Sequence, residues 1–257
     1  MKFSVISLDR AGSTNKYAQL LLNESKAGEG TIVWTMEQVK GRGQGENTWL
    51  SQAGMNLTFS LVLEPFFLSP DRQFSLNKAV ALAVLNSVKR DMPVGIAMTI
   101  KWPNDIYAGD RKIAGILIEH SILGSFIKNS VVGIGINLNQ EEFPVSIPNP
   151  VSLKQLTGSD FDAKKILERT CANLSIEYSR LGNAEFQAID AEYNSNLYGC
   201  GKDIEFTTGG SSFIGCIQGV DDYGRLVVIT VDGILRKFSH GEIIQHSGIM
   251  KQQGGEN

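Results

Sequence analysis

A chain of 257 residues, 42% hydrophobic and 20% charged, holds enough apolar material for one large domain and a small one without disulfides or metals. Its formal net charge of −3 argues against a nucleic-acid or membrane-surface binder, since such proteins are usually basic. The opening MKFSVISLDRAGSTN has no signal-peptide core, no stretch reaches the roughly 20 apolar residues of a membrane helix, and the three scattered cysteines (Cys171, Cys200, Cys216) read as reduced thiols, so a cytoplasmic protein is expected.

Residues 3–8 alternate weakly and predict a short strand. Ser13-Thr14-Asn15 then offers a helix cap ahead of Tyr17, Ala18, Leu20, Leu21 and Leu22, which fall at helical spacing. Thr31–Thr35 is a predicted strand, Gly41–Gly54 a loop with four glycines, and Asn56–Leu63 a β-rich run. Ser75–Arg90 puts Leu76, Ala79, Val80, Ala83, Val84 and Val88 on one helical face. Met98–Trp102, Ile113–Glu119 and Ser130–Asn137 are apolar runs of strand length. Helices over Asp160–Leu181 and Glu185–Tyr193 close a first domain at residues 1–198. From Gly199 short β runs alternate with glycine and aspartate turns: Asp203–Phe206, Phe213–Val220, Leu226–Ile229 and Ile234–Phe238. These predict a small barrel over 199–248, and the polar tail 249–257 is expected to be disordered. The class is α+β with two domains.

Four pieces carry chemistry. The loop Glu37-Gln38-Val39-Lys40-Gly41-Arg42-Gly43-Gln44-Gly45-Glu46-Asn47-Thr48-Trp49 lets the backbone approach an anion, with Arg42 free to clamp a carboxylate or phosphate. By itself it is equally an ordinary glycine-rich surface loop. Lys101-Trp102-Pro103-Asn104-Asp105 is a turn that presents Asp105 at a strand end, and Lys112 opens a very apolar strand seven residues later. A lysine there suits a stem that packs and an ammonium that reaches a polar site. Ser13-Thr14-Asn15 can hydrogen-bond a polar ring as well as cap a helix. Gly133-Ile134-Gly135-Ile136-Asn137 marks the close approach of a ligand or another backbone to a strand. His120, beside Glu119, reads as structural, and no Cys or His spacing fits a zinc site, so no metal ligands are assigned.

In this order and spacing the pieces resemble the biotin protein ligases, the enzymes that attach biotin to carboxylases, over nearly the whole chain. The resemblance implies a class II synthetase-like catalytic domain and an SH3-like C-terminal domain. It also implies an ATP-dependent ligase that uses biotin, ATP and Mg²⁺, forms biotinyl-5′-AMP, and transfers biotin to a lysine of a biotin carboxyl carrier protein or domain. The implied biotin-binding residues are Ser13, Thr14, Asn15, Gln38, Gly41, Arg42, Gly43, Lys112 and Gly115. Those implied for ATP or the adenylate are Arg42, Gly43, Gln44, Trp49, Asn104, Lys112 and Asn137. Lys112 and Arg42 carry the catalytic charge, and Asp105 orients or deprotonates the acceptor lysine. Many bacterial members have an N-terminal DNA-binding domain; with 12 residues before Ser13, no DNA partner is expected here. Several relatives have an arginine-rich loop where this chain has Gln44, Gly45, Glu46 and Asn47, which bears on how tightly the adenylate is retained. Relatives include monomers and dimers, and the strands around Gly133–Leu138, read as exposed, could pair between subunits. The rival readings are a lipoate-type acyl ligase and a non-enzymatic biotin sensor or regulator.

Overall fold

The computed structural model describes residues 1–246. The tail expected over 249–257, and the last two residues of the expected second domain, lie outside the described residues. In chain order the elements are β1 (Ser4–Ala11), α1 (Thr14–Asn23), β2 (Thr31–Gln38), the two-residue strands β3 (Gly41–Arg42) and β4 (Thr48–Trp49), and β5 (Leu57–Leu63). Then come α2 (Gln73–Lys89), β6 (Met98–Lys101), β7 (Asp105–Ala108), β8 (Arg111–Leu123), β9 (Phe126–Ile136), α3 (Leu153–Thr157), α4 (Ala163–Gly182) and α5 (Phe186–Ser195). The C-terminal strands are β10 (Asp203–Thr208), β11 (Ser211–Val220), β12 (Leu226–Thr230), β13 (Leu235–Phe238) and β14 (Ile244–Gln245).

Seven strands form one mixed sheet in the order β1-β2-β5-β9-β8-β7-β6, with β1 and β2 parallel. Side chains alternate between its faces, so the parity of each strand decides what it faces. In β5, Leu57, Phe59, Leu61 and Leu63 enter the main core, while Val62 packs with Val33 and Val131 beneath α1. The main core lies on the face covered by α2, backed by α4 and α5. On the other face α1 packs chiefly on β2, β5 and β9, leaving most of the floor from β9 to β6 open. Gly133–Leu138 is not an exposed segment: β9 is hydrogen-bonded to β5 on one side and β8 on the other. Pairing between subunits there has no free edge to use; the sheet's edges are β1 and β6.

α2 departs from its one-faced pattern. Leu76, Ala79, Val80, Ala83, Val84 and Val88 are buried as expected, but so are Phe74, Ala81, Leu82, Leu85 and Lys78. Sandwiched between a sheet and two further helices, α2 keeps only Gln73, Asn86 and Lys89 exposed. The Lys78 ammonium is satisfied inside by Asp190 at 2.8 Å and the Val220 carbonyl at 3.1 Å. A buried cation of this kind is tolerated only when paired and hydrogen-bonded. It fastens α2 to α5 and to β11.

The C-terminal module is a five-stranded antiparallel sheet, β13-β12-β11-β10-β14. Among the described residues its ladder is open between β13 and β14, rather than closed as a barrel. It is joined to the large sheet through the KWPND turn, where Trp102 donates from Nε1 to the Gly224 carbonyl at 2.9 Å. Trp102 is therefore a buried anchor more than an exposed aromatic plate.

His120 on β8 faces the core side, with Nδ1 2.8 Å from Ser130 Oγ. Burial pushes its pKa down to about 4. The unfolded chain thus binds the proton first, and the fold loses stability as pH falls from 6.5 toward 4, by about 2 kcal/mol at pH 5 from this group. His120→Asn is expected to remove that part of the slope; urea midpoints at pH 7 and pH 5 for both proteins measure it.

Candidate active site

The open floor is built from rows of residues that pair across the strands. One row runs Thr35–Thr58–Gly135–Gly115–Asp105–Lys101 from β2 to β6. The next runs Val33–Ser60–Gly133–Leu117. All these side chains share the face with α1. The first row begins with hydroxyls and ends in charge, the second adds the Ser60 hydroxyl, and together they cross three glycines.

At the hydroxyl end, Ser13 stands at the N-cap of α1 in extended conformation, yet its side chain caps nothing. The helix is capped from elsewhere: Gln38 Oε1 accepts from Thr14 N at 2.8 Å and from the Thr14 hydroxyl at 3.1 Å. Ser60 lies 2.7 Å from Thr14 Oγ1 and 2.6 Å from Asn15 Oδ1. Asn15 Nδ2 donates to Glu119 Oε2 at 2.8 Å and to the Leu117 carbonyl at 3.3 Å. Ser13, Thr14 and Asn15 are buried, so this is a fixed polar wall rather than a solvated loop.

Arg42 reaches this wall from β3. Its Nη1 sits 2.7 Å from Glu119 Oε1, so Glu119 links the loop arginine to Asn15. The loop is ordered by its own short ladder, Gly41 with Trp49 and Arg42 with Thr48, and Gly43 N donates to the Asn47 carbonyl at 2.7 Å. Gly41 has backbone so close that an added Cβ would stand 2.2 Å from the Trp49 carbonyl oxygen. Gln44 lines the cavity. The Trp49 indole lies on the glycine floor: a Cβ on Gly135 would meet its ring at 2.3 Å, and one on Gly115 at 3.1 Å. Its buried Nε1 has no hydrogen-bond partner. Such a donor is costly to leave unmet, and an acceptor on a ligand would satisfy it.

Lys112 owes its position to an irregularity. Counting by twos from Gly115, an even ladder would turn Lys112 to the core side. The β7–β8 register shifts, with Ile106 opposite Ala114 but Tyr107 opposite Lys112. Ile113 is the extra residue, and both it and Ala114 enter the core. This bulge re-aims Lys112 onto the open face, the common use of such features. There Nζ meets Asp105 Oδ1 at 2.7 Å and the Trp49 ring centre at 5.7 Å. Gly115 makes room for it, since a Cβ would stand 3.3 Å from Lys112 Cε.

Two expected nucleotide contacts are engaged with the backbone. Asn104 Nδ2 donates to the Ile116 carbonyl at 2.6 Å. Asn137 is buried and donates to the Val151 carbonyl at 3.1 Å, which steadies the strand pair that carries Lys112. Both still line the cavity, a space of about 780 Å³ that takes in every residue named for the site except Gly41. Its far wall comes from the C-terminal sheet, including Leu226, His240 and Ile243. Ser60, Glu119, Lys101 and Tyr107 were not singled out as site residues from the sequence. A serine in an all-apolar strand, and a glutamate at the end of another, were the available signals.

Among the described residues no group of three or more His, Cys, Asp or Glu side chains is arranged to hold a metal ion. A Mg²⁺ that arrives on a triphosphate needs no such group, since one or two carboxylates and the phosphates themselves usually hold it.

A polar wall, a glycine floor and a lysine–aspartate pair in one cleft suit a flat polar ring tethered to a carboxylate. Comparison with known proteins gives the same direction. Residues 7–137 match a family model described as the biotin/lipoate A/B protein ligase family, and residues 199–244 one described as the biotin protein ligase C-terminal domain. The chain belongs to the biotin protein ligase family. This ligase is 33% identical over 235 residues to the bifunctional ligase/repressor BirA of Bacillus subtilis, covering 90% of this chain and 71% of that one. It is 30% identical to the biotin–[acetyl-CoA-carboxylase] ligase of Paracoccus denitrificans, over 86% of this chain and 92% of that one. Its fold matches the biotin protein ligase of Aquifex aeolicus solved with biotin and ATP, at TM-score 0.78 and 27% identity, over 95% and 99% of the two chains. No helix among the described residues is long and apolar enough to cross a membrane.

Proposed function

We propose that this ligase activates biotin with ATP to biotinyl-5′-adenylate and transfers the biotinyl group to a lysine of a biotin carboxyl carrier domain. The observation that carries the reading is Lys112, re-aimed by a bulge and held 2.7 Å from Asp105 at the end of a glycine floor whose other end is a buried hydrogen-bonding wall. The Aquifex relative binds biotin and ATP by its description, and the Paracoccus relative is named for the carboxylase reaction; both support it.

Biotin's ureido ring would be read by Ser13, Thr14, Asn15 and Gln38, with its carboxylate toward Lys112. That carboxylate is ionised at neutral pH, so its attack on the α-phosphorus needs no base. The barrier comes from bringing two anions together and from charge growing on phosphate oxygens. Fixed cations lower both. Lys112 bridges carboxylate and α-phosphate, and Arg42, released from Glu119, clamps the same oxygens. Trp49, lying on the floor, excludes water from a hydrolysable mixed anhydride. Mg²⁺ in this reading arrives with the triphosphate as part of the substrate. In transfer, Asp105 orients the acceptor amine or takes its proton. The Gly-Arg-Gly-Gln loop carries fewer cations than an arginine-rich one, so Arg42, Lys112 and backbone N–H groups hold the phosphate.

One assay separates the readings. With ATP, Mg²⁺ and a carrier domain, labelled biotin is expected on a carrier lysine and labelled lipoate is not. Label from lipoate instead would replace the substrate, and label from neither would leave a sensor.

A further inference from the structure

The row that crosses the site does not end at Lys112. One strand beyond Asp105, on β6, stands Lys101, opposite Asp105 in register and on the same face. Its side chain is half-buried, and its ammonium lies 5.0 Å from the ring centre of Tyr107 and 5.7 Å from that of Tyr198. Ring faces attract a cation but fill none of its N–H donors as a carboxylate would. Among the described residues no carboxylate or hydrogen-bond acceptor reaches Lys101 Nζ, whereas Lys112 Nζ holds Asp105. Burial draws the Lys101 pKa below the ordinary lysine value, Asp105 opposing and Lys112 adding to it. A desolvated cation with open donors in a cavity wall is completed by an anion.

We propose that Lys101 binds the β- and γ-phosphates of the nucleotide and holds them as pyrophosphate departs. The assignment rests on the adenylation reading above. Adjacent strands are about 4.8 Å apart, so β6 lies about 10 Å across the sheet from β8, which carries Lys112. The biotin carboxylate and α-phosphate meet at Lys112; the distal phosphates extend past Asp105 toward Lys101. As the carboxylate oxygen bonds to the α-phosphorus, the bond from that phosphorus to the bridging oxygen breaks. The electron pair leaves with pyrophosphate, and Lys101 neutralises it while keeping its own proton. The two tyrosine faces hold the ammonium in place without competing for its donors.

Lys101→Met keeps the stem and removes the charge; Lys101→Arg restores the charge. The first half-reaction is followed as biotin-dependent ATP–pyrophosphate exchange. The second is followed as single-turnover transfer from synthetic biotinyl-5′-adenylate to a carrier domain. Lys101→Met is expected to raise KM for ATP and the inhibition constant for pyrophosphate at least ~10-fold, the scale of one charge-assisted contact. The defect in exchange should exceed that in transfer at least ~10-fold on the same scale, and Lys101→Arg should recover most of it. Both constants staying within twofold overturns the assignment. A defect confined to transfer, with a raised KM for the carrier, also overturns it and makes Lys101 a contact for an acidic carrier side chain. Wild-type protein that transfers from synthetic adenylate but makes none from biotin and ATP would remove the adenylation reading itself, independently of either variant.

Discussion

Lys112→Ala is expected to lower biotin-dependent pyrophosphate release by at least ~10²-fold, the cost of losing one preorganised cation at a developing negative charge. The expectation rests on position. Lys112 is already paired at 2.7 Å with a carboxylate on the neighbouring strand of the same sheet, so its geometry is set before substrate enters. Such preorganisation is what makes a charge effective in the transition state. Lys112→Arg should not rescue fully, because a planar guanidinium must fit where a compact ammonium now sits between Asp105 and the Trp49 ring. Asp105→Asn should cost less, since the lysine charge remains and only its tether is weakened. Pyrophosphate release, read by a coupled assay at saturating biotin, decides it: near-normal release in Lys112→Ala would remove the lysine from its assigned role.

Gly133→Ala should be the most damaging single-methyl change in the floor. The added Cβ would lie 2.2 Å from Asn15 Oδ1 and 2.9 Å from its Cγ. Asn15 cannot swing away, being buried and held by Ser60, Glu119 and the Leu117 carbonyl. Overpacking of this kind costs about 1–3 kcal/mol, so biotin affinity measured by calorimetry should fall by about 10- to 100-fold. Gly135→Ala makes a useful contrast. Its Cβ would strike the Trp49 ring at 2.3 Å and leave the hydrogen-bonded polar wall untouched. The loss there should be smaller and should register as changed indole fluorescence. Equal affinity in Gly133→Ala and the unmodified protein would show that Asn15 is not part of the biotin wall.

The strands and long helices were legible because their apolar periods are strong. β5 and β9 are continuous apolar runs, and α4 carries a clear Asp162 cap whose carboxylate accepts from Lys164 N. The helix expected from Asp160 therefore starts three residues later, at that cap. β7, α3 and β14 went unseen: each is five residues or fewer and is stabilised by neighbours rather than by its own pattern. α2 misled because its burial depends on α4 and α5, which no local window contains. In the site, Lys112, Arg42, Gly115 and the Ser13–Asn15 wall were visible as motif residues. Glu119 and Ser60 were not, since their value lies in distant partners: Ser60 meets α1, and Glu119 meets α1 and Arg42. Asn137, an expected nucleotide contact, lines the cavity while its Nδ2 donates to the Val151 carbonyl, a tie no local pattern announces.

The irregular step at Ile113 has a consequence for related sequences. Lys112 stands three residues before Gly115, and that odd interval puts both on the open face only because Ile113, between them, is skipped by the opposing strand. A sequence that kept Lys112, Gly115 and the two residues between them but paired all of them in an unbroken ladder would send its ammonium among isoleucines. Such a protein would look complete to a motif search and yet have no cation in its cleft.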